Sequence, residues 1–293
     1  MASDNFDLSR RGLLKLSGTA LALTATHSNS LAATEGSARL FYTDVGTGTN
    51  VMLLHGWACD SHDWSWQLPM LESKYRVVAL DLRGHGRSEV MPSGTYTPDD
   101  YVADIEALIT ANFASQKFVV MGHSMGGQIA ARLASKRPDL VTAVVSMDGA
   151  LGFSDEVGAF FMKTADGLKT GDPGIVGPEL FKTAYDAATS PAIKRWHTRR
   201  LQGTPQHVVR ESFGPLFFGD GQIGVGSASE EFCRTLGVPF YHLCRDQSQA
   251  DRMSTWFTSR KSRVDVWKNA GHWIMQDRPE DVNVAIAEWV DAL

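Results

Sequence analysis

The chain has 293 residues, of which 43% are hydrophobic and 21% are charged, and its formal net charge at pH 7 is −5. This composition suits one α/β domain with an insertion, and the mild negative charge argues against a basic surface that binds nucleic acid. Three widely spaced cysteines give neither a disulfide framework nor a zinc signature, and no run of about 18 apolar residues predicts a membrane span.

Two adjacent arginines, Arg10 and Arg11, stand near the N-terminus. They precede a mildly apolar stretch over residues 16–25, and Ser30-Leu31-Ala32 offers the small residues that a signal peptidase needs. This segment resembles a bacterial twin-arginine export signal. We therefore expect residues 1–32 to direct export to the periplasm or the medium; if the segment is not a signal, the protein is cytoplasmic.

From about residue 38 onwards, apolar strands alternate with helical segments. The strands are apolar on both faces, which is typical of a parallel sheet that helices cover on two sides. Helices are predicted over residues 98–111, 128–136 and 279–293. The predicted strands cover residues 39–45, 51–54, 76–81, 117–121, 141–147, 238–243 and 264–267.

The alternation stops after Gly149 and resumes at Val238. The stretch between them is rich in large apolar residues and glycines but carries no strong strand pattern. We therefore predict an α/β core, residues 38–149 and 237–293, with a helical cap, residues 150–236, inserted between two core strands.

One serine lies in a turn between a predicted strand and a predicted helix. Residues 122–126 read Gly-His-Ser-Met-Gly, which fits the G-x-S-x-G pattern of a nucleophile elbow. Glycine two residues to either side avoids a clash in so sharp a turn, and the turn raises the serine hydroxyl above the sheet. Ser124 is therefore the predicted nucleophile.

A serine nucleophile needs a base, and two N–H groups must stabilise the oxyanion that forms on the substrate. His272 follows the last predicted strand in a glycine-containing loop and is the predicted base. The amide of Met125, directly after the nucleophile, is one expected oxyanion donor. The amide of Trp57, in the loop after the first long core strand, is the other.

The acid that orients the base has two candidates. Asp246 follows the strand over residues 238–243, and Asp148 ends the strand after the elbow helix. The loops that carry these aspartates can both reach a base at the carboxyl edge of such a sheet, so both remain candidates.

From about Leu40 to the end, the chain resembles the α/β-hydrolase superfamily. The matching pieces are His55-Gly56-Trp57, residues 81–88, the turn around Ser124, Gly271-His272-Trp273 and residues 277–280. The resemblance implies a mostly parallel central sheet with helices on both faces and an inserted helical cap.

The resemblance also bears on the acid. The family usually carries it in a G-x-x-D turn after the penultimate strand, which corresponds to Asp246, but here that turn, residues 243–246, reads Leu-Cys-Arg-Asp and lacks the glycine. Lactone hydrolases of the zearalenone type and haloalkane dehalogenases carry the acid where Asp148 stands.

These residues predict a serine hydrolase that cleaves a carboxylic ester or lactone through an acyl-enzyme, with no metal or organic cofactor. The aromatic cap favours a small apolar or aromatic substrate. Cofactor-free haloperoxidase or perhydrolase chemistry and carbon–carbon bond hydrolysis are alternatives on the same triad. A non-catalytic ligand-binding protein is disfavoured because the positions of Ser124 and His272 are both filled.

Overall fold

The computed structural model of the protein describes residues 36–293. The predicted export signal, residues 1–32, lies outside the described residues. Among the helices that are described, none combines the length and the apolar character needed to cross a membrane.

Seven strands form one sheet in the order β1-β3-β2-β4-β5-β6-β7. β1 pairs antiparallel with β3, and every other pair is parallel. The central strands are long apolar runs because both of their faces are covered, and the predicted mostly parallel α/β class is confirmed. The strands are β1 Tyr42–Val45, β2 Asn50–Leu54, β3 Arg76–Leu80, β4 Phe118–His123, β5 Val141–Met147, β6 Phe240–Cys244 and β7 Arg263–Val266.

Helices cover the sheet in two layers. The chain moves one way along the sheet from β2 to β3 and the other way from β3 to β4 and β5, so right-handed crossovers put α1 on one face and α2 and α3 on the other. α11 packs against α1, and α2 packs against α3. The helices of the sheet layers are α1 Leu68–Lys74, α2 Pro98–Asn112, α3 Met125–Lys136, α9 Gln247–Met253, α10 Ile274–Asp277 and α11 Pro279–Asp291.

The segment predicted as a cap, residues 150–236, is helical and lies between β5 and β6. Its start meets the residue before α8, where Phe153 pairs with Val225 in an isolated bridge, and the Phe153 amide donates to the Gly224 carbonyl at 3.1 Å. The helices of this cap segment are α4 Asp155–Thr170, α5 Pro173–Ala184, α6 Pro191–Gly203, α7 Gln206–Phe213 and α8 Gly226–Arg234.

A buried polar cluster joins the cap segment to the core. Arg200 of α6 forms a 2.6 Å ion pair with Asp63, which lies in a 3₁₀ turn over Ser61–Trp64, and both side chains are buried. His197 of the same helix shares a 2.9 Å hydrogen bond with Gln276 of α10, and its ring stacks on Trp273 at 3.9 Å between centroids. The cap segment therefore contacts Trp273, the core residue that directly follows His272.

Candidate active site

Ser124 occupies a strained turn between β4 and α3. Its backbone angles are φ 52° and ψ −115°, which a residue with a side chain rarely adopts. A Cβ atom on Gly122 would overlap the carbonyl of Gly126, and one on Gly126 would overlap the carbonyl of Leu54. Glycine is required at both positions because the turn brings the strand and the helix into backbone contact.

His272 lies in the loop between β7 and α10, and three contacts fix it. Its Nδ1 lies 2.6 Å from Asp148 Oδ2, its amide donates to the Ala184 carbonyl of the cap segment at 2.7 Å, and its carbonyl lies 3.0 Å from His123 Nε2. Burial, followed by the neighbouring His272, lowers the pKa of His123 to about 3. A neutral His123 therefore donates from Nε2 to the backbone of His272 and holds its loop in place.

Asp148 is the carboxylate that contacts His272. It directly follows β5 with φ 43°, and it is buried. One oxygen, Oδ2, accepts from both His272 Nδ1 and Arg245 Nε, the latter at 2.7 Å. A hydrogen bond from Nδ1 leaves Nε2 of His272 free to act as a base toward the cavity.

The environment keeps Asp148 ionised. Burial alone would raise the pKa of this carboxyl, but the charge of Arg245 and the hydrogen bond with His272 outweigh burial and hold the pKa well below its ordinary range. Asp148 is thus a permanent anion beside the ring that would carry the proton during a reaction.

Asp246, the family's usual position for the acid, makes no hydrogen bond to His272, so the expectation for this residue is corrected. Its carboxylate caps α9, where it accepts from the Gln249 amide at 2.7 Å and from the Ser248 hydroxyl at 2.6 Å. Because β6 ends at Cys244 and α9 begins at Gln247, the short turn between them commits this carboxylate to the helix.

The two amides predicted to bind an oxyanion have no hydrogen-bond acceptor within residues 36–293. Met125 is the first residue of α3, so its N–H has no acceptor within the helix, and Trp57 lies in the loop after β2. Gly56 permits the close approach of that loop, because a Cβ there would lie 3.2 Å from Cβ of Ser124 and 2.7 Å from Nδ1 of His123. Both amides are available to a developing negative charge.

A cavity of about 680 Å³ opens over these groups. Ser124, His272, Asp148 and Trp57 line it, whereas the side chain of Met125 is fully buried behind it. No hydrogen bond joins Ser124 and His272 in the part of the chain that the structure describes, which is common before a substrate is bound.

The cavity has an aromatic side and a polar side. The polar side comes from the β6–α9 connection, which carries Arg245, and from α9 itself, which carries Ser248 and Arg252. The sequence had not singled out Arg245, although it stands in the turn that lacks the family's glycine. The aromatic side comes from the cap segment and consists of Phe153, Phe160, Phe161, Phe181, Phe213 and Phe217.

No group of three or more His, Cys, Asp and Glu side chains within residues 36–293 is arranged to hold a metal ion. The groups that line this cavity include the hydroxyl of Ser124, the imidazole of His272, the carboxylate of Asp148 and the guanidinium of Arg245.

Comparison with known proteins gives some matches over part of the chain and others over most of it. A serine hydrolase-like protein from Danio rerio is 38% identical over 102 residues, and the match covers 34% of this chain and 31% of that protein, so the chain spans only about a third of this relative. A 2-hydroxy-6-oxo-6-(2'-aminophenyl)hexa-2,4-dienoic acid hydrolase from Metapseudomonas resinovorans is 26% identical over 270 residues, covering 84% of this chain and 85% of that protein.

Comparison with solved structures also gives a match over most of the chain. An esterase from Thermogutta terrifontis superimposes with a TM-score of 0.73 and 26% identity, over 92% of this chain and 97% of that one. The family profile described as the alpha/beta hydrolase fold matches residues 49–174, which include the turn around Ser124 and Asp148. The sheet, the helical layers and these matches together show that the chain belongs to the α/β-hydrolase superfamily.

Proposed function

We propose that the protein is a serine hydrolase that cleaves a carboxylic ester or lactone through an acyl-enzyme intermediate. The observation that carries this proposal is the contact of His272 Nδ1 with the buried carboxylate of Asp148, in a cavity that also exposes Ser124 on a strained turn. This arrangement supplies a nucleophile, a base and a group that orients the base.

In the first half of the reaction, Nε2 of His272 takes the proton of the Ser124 hydroxyl as Oγ attacks the substrate carbonyl carbon. The amides of Trp57 and Met125 stabilise the oxyanion. The tetrahedral intermediate then collapses, and the alcohol leaves with the proton from His272 while the acyl group stays on Ser124.

In the second half, a water molecule gives a proton to His272 and attacks the acyl-enzyme. The second tetrahedral intermediate releases the carboxylic acid, and the proton returns to Ser124 Oγ. Asp148 stays ionised throughout and stabilises the imidazolium that forms in each half. A lactone follows the same course, except that its alcohol remains tethered to the acyl group.

Hydrolysis of 4-nitrophenyl butyrate tests the proposal. We expect the wild type to turn over this ester and Ser124→Ala to lose roughly 1,000-fold or more in kcat. Ser73→Ala, which removes an exposed hydroxyl on α1, is the matched control and should keep the wild-type rate. Equal rates in Ser124→Ala and in the wild type would reject Ser124 as the nucleophile.

Hydrolysis at a carbon–carbon bond is a second candidate that uses the same three residues. It is supported by the match, over most of both chains, to the hydrolase of a 6-oxo-dienoic acid from Metapseudomonas resinovorans. A wild type that cleaves that compound at least as efficiently as simple esters would favour this candidate over ester cleavage.

We further propose that residues 1–32 direct export, which rests on Arg10 and Arg11 ahead of the apolar stretch. The full chain should appear in the periplasm of a bacterium with twin-arginine transport and remain in the cytoplasm when both arginines are changed to lysine. Equal export of the two forms would reject the signal.

A further inference from the structure

Arg245 borders the catalytic cavity and uses only part of its hydrogen-bonding capacity. Its Nε donates to Asp148 Oδ2 at 2.7 Å, and its side chain is 35% exposed. Within residues 36–293, neither terminal nitrogen of this guanidinium, Nη1 or Nη2, donates a hydrogen bond to a protein group. Four N–H donors of a fixed cation are thus open at the wall of the site.

Two other arginines show what a fully engaged guanidinium looks like in this fold. Arg83 is 2% exposed and uses all three nitrogens, two on the carboxylate of Asp104 and one on the Thr95 carbonyl. Arg252 borders the same cavity, but its terminal nitrogens bond the Gly152 carbonyl at 3.0 Å and the Ser248 hydroxyl at 3.3 Å. Arg245 differs from both because its free edge lies at the cavity.

The other acidic side chains that line the cavity leave Arg245 available. Asp246 is already bonded to the Gln249 amide and the Ser248 hydroxyl at the start of α9. Glu156 is exposed on α4 and forms no ion pair with any residue of the described chain. Apart from Asp148, no carboxylate within residues 36–293 bonds to Arg245.

The contact with Asp148 also has an unfavourable consequence for catalysis. Arg245 and His272 share one carboxylate oxygen, so the arginine reduces the negative potential that stabilises a protonated His272. An anion bound to the free edge of Arg245 would offset its positive charge and restore that potential. A guanidinium edge matches the geometry of a carboxylate, which it binds through two hydrogen bonds.

We propose that Arg245 forms a subsite for a carboxylate group of the substrate, so that the preferred ester or lactone carries an anionic end as well as an apolar part. The apolar part would lie against the phenylalanines of the cap segment that line the same cavity. This inference rests on the proposed serine-hydrolase function and narrows its substrate class.

Two pairs of esters test the subsite, one pair for each side of the scissile bond. 4-Nitrophenyl hydrogen adipate and 4-nitrophenyl hexanoate differ only in a terminal carboxylate on the acyl chain. 3-Carboxyphenyl hexanoate and phenyl hexanoate differ in the same way on the leaving group. The wild type should prefer the charged ester in at least one pair, by roughly 10- to 100-fold in kcat/KM.

Arg245→Gln should reduce that preference to near unity, and Arg245→Lys should keep part of it. A residue that only held Asp148 in position would change both members of a pair by the same factor, so the ratio separates recognition from positioning. Arg252→Gln is the matched control from the same wall and should keep the wild-type ratio. No preference in either pair, or an equal fall in Arg252→Gln, would overturn the proposal.

Binding gives a readout that does not depend on turnover. Calorimetric titration of the Ser124→Ala protein with adipate should show binding that weakens roughly 10-fold or more when Arg245→Gln is added. Equal binding to both proteins would overturn the subsite. Hydrolysis of the neutral esters without a charge preference would reject the subsite alone, whereas adipate binding without turnover of any ester would reject the proposed function alone.

Discussion

The sheet core and the cap segment contribute to the same cavity in different ways. All six residues of β4 are buried, whereas α4 of the cap buries only three of its sixteen residues. The proposed catalytic groups follow core strands, and Ser124 and Asp148 are both held at positive φ. The cap supplies the aromatic wall and meets the core through a small set of polar contacts. The difference suggests that the core determines the reaction and the cap determines which substrate reaches it.

The largest expected effect concerns the acid that the core supplies, and it is tested by substituting two aspartates. Asp148→Asn should lower kcat by roughly 1,000- to 10,000-fold, because an amide beside Nδ1 favours the wrong tautomer of His272. Asp246→Asn should stay within about 3-fold of the wild type, since asparagine caps a helix as well as aspartate does. Steady-state hydrolysis of 4-nitrophenyl butyrate measures both, and the reverse order of effects would return the acid to Asp246.

The attachment of the cap is tested at its buried ion pair. Arg200→Met leaves the carboxylate of Asp63 buried without its cation, so the free energy of unfolding should fall by about 3 to 5 kcal/mol. Arg234→Met removes an exposed ion pair with Glu230 in the same cap segment. This change should alter the free energy of unfolding by less than about 1 kcal/mol. Urea unfolding measures the free energy of unfolding of both variants. A similarly small loss of stability in the two variants would mean that the ion pair of Arg200 and Asp63 does not fix the cap segment.

Acid should destabilise the protein largely through histidines of the core. Burial lowers the pKa of His85 and His123 to about 3 and that of His242 to about 4. Below a pH of about 6.5, the unfolded chain binds protons that the folded core does not, so stability is lost as the pH falls toward 4. Each such histidine contributes a slope of at most about 1.4 kcal/mol per pH unit.

The variant His242→Gln measures this contribution. The pH dependence of its free energy of unfolding between pH 6.5 and 4.5 should be shallower than that of the wild type, by at most about 1.4 kcal/mol per pH unit. An unchanged slope would show that this core histidine is not neutral in the folded protein.

The smallest expected effect concerns the aromatic wall of the cap. The ring of Phe161 lies 4.4 Å from that of Phe217 and 5.1 Å from that of Phe153, between centroids, and Phe161 lines the cavity. Phe161→Ala should raise KM for a phenyl ester about 5-fold through lost apolar contact while leaving kcat within about 2-fold. A large fall in kcat with unchanged KM would contradict a role of the cap in binding alone.

Local patterns were enough to predict the sheet and to select Ser124 and His272, which line one cavity. The strands are contiguous apolar runs, and the turn around Ser124 needs glycines at fixed spacing, so both leave a trace in a short stretch of sequence. The choice between Asp148 and Asp246 left no such trace, because it depends on how β5 and β6 end relative to the loop of His272.

The buried polar cluster that joins the cap segment to the core could not be predicted from the sequence either. Asp63, the α6 residues His197 and Arg200, and Gln276 come from three separate segments, and only tertiary packing brings them together. Arg245 stands in the turn after β6 that lacks the family's glycine, but its role could be inferred only from its contact with Asp148.

The central claim is that the core assembles an activated serine. The most direct measurement is the intact mass of the protein after exposure to a fluorophosphonate, with peptide mapping of the adduct. We expect a single adduct on Ser124 in the wild type and in Asp246→Asn, and almost none in His272→Ala. An unmodified wild type, or equal labelling of His272→Ala, would contradict this claim.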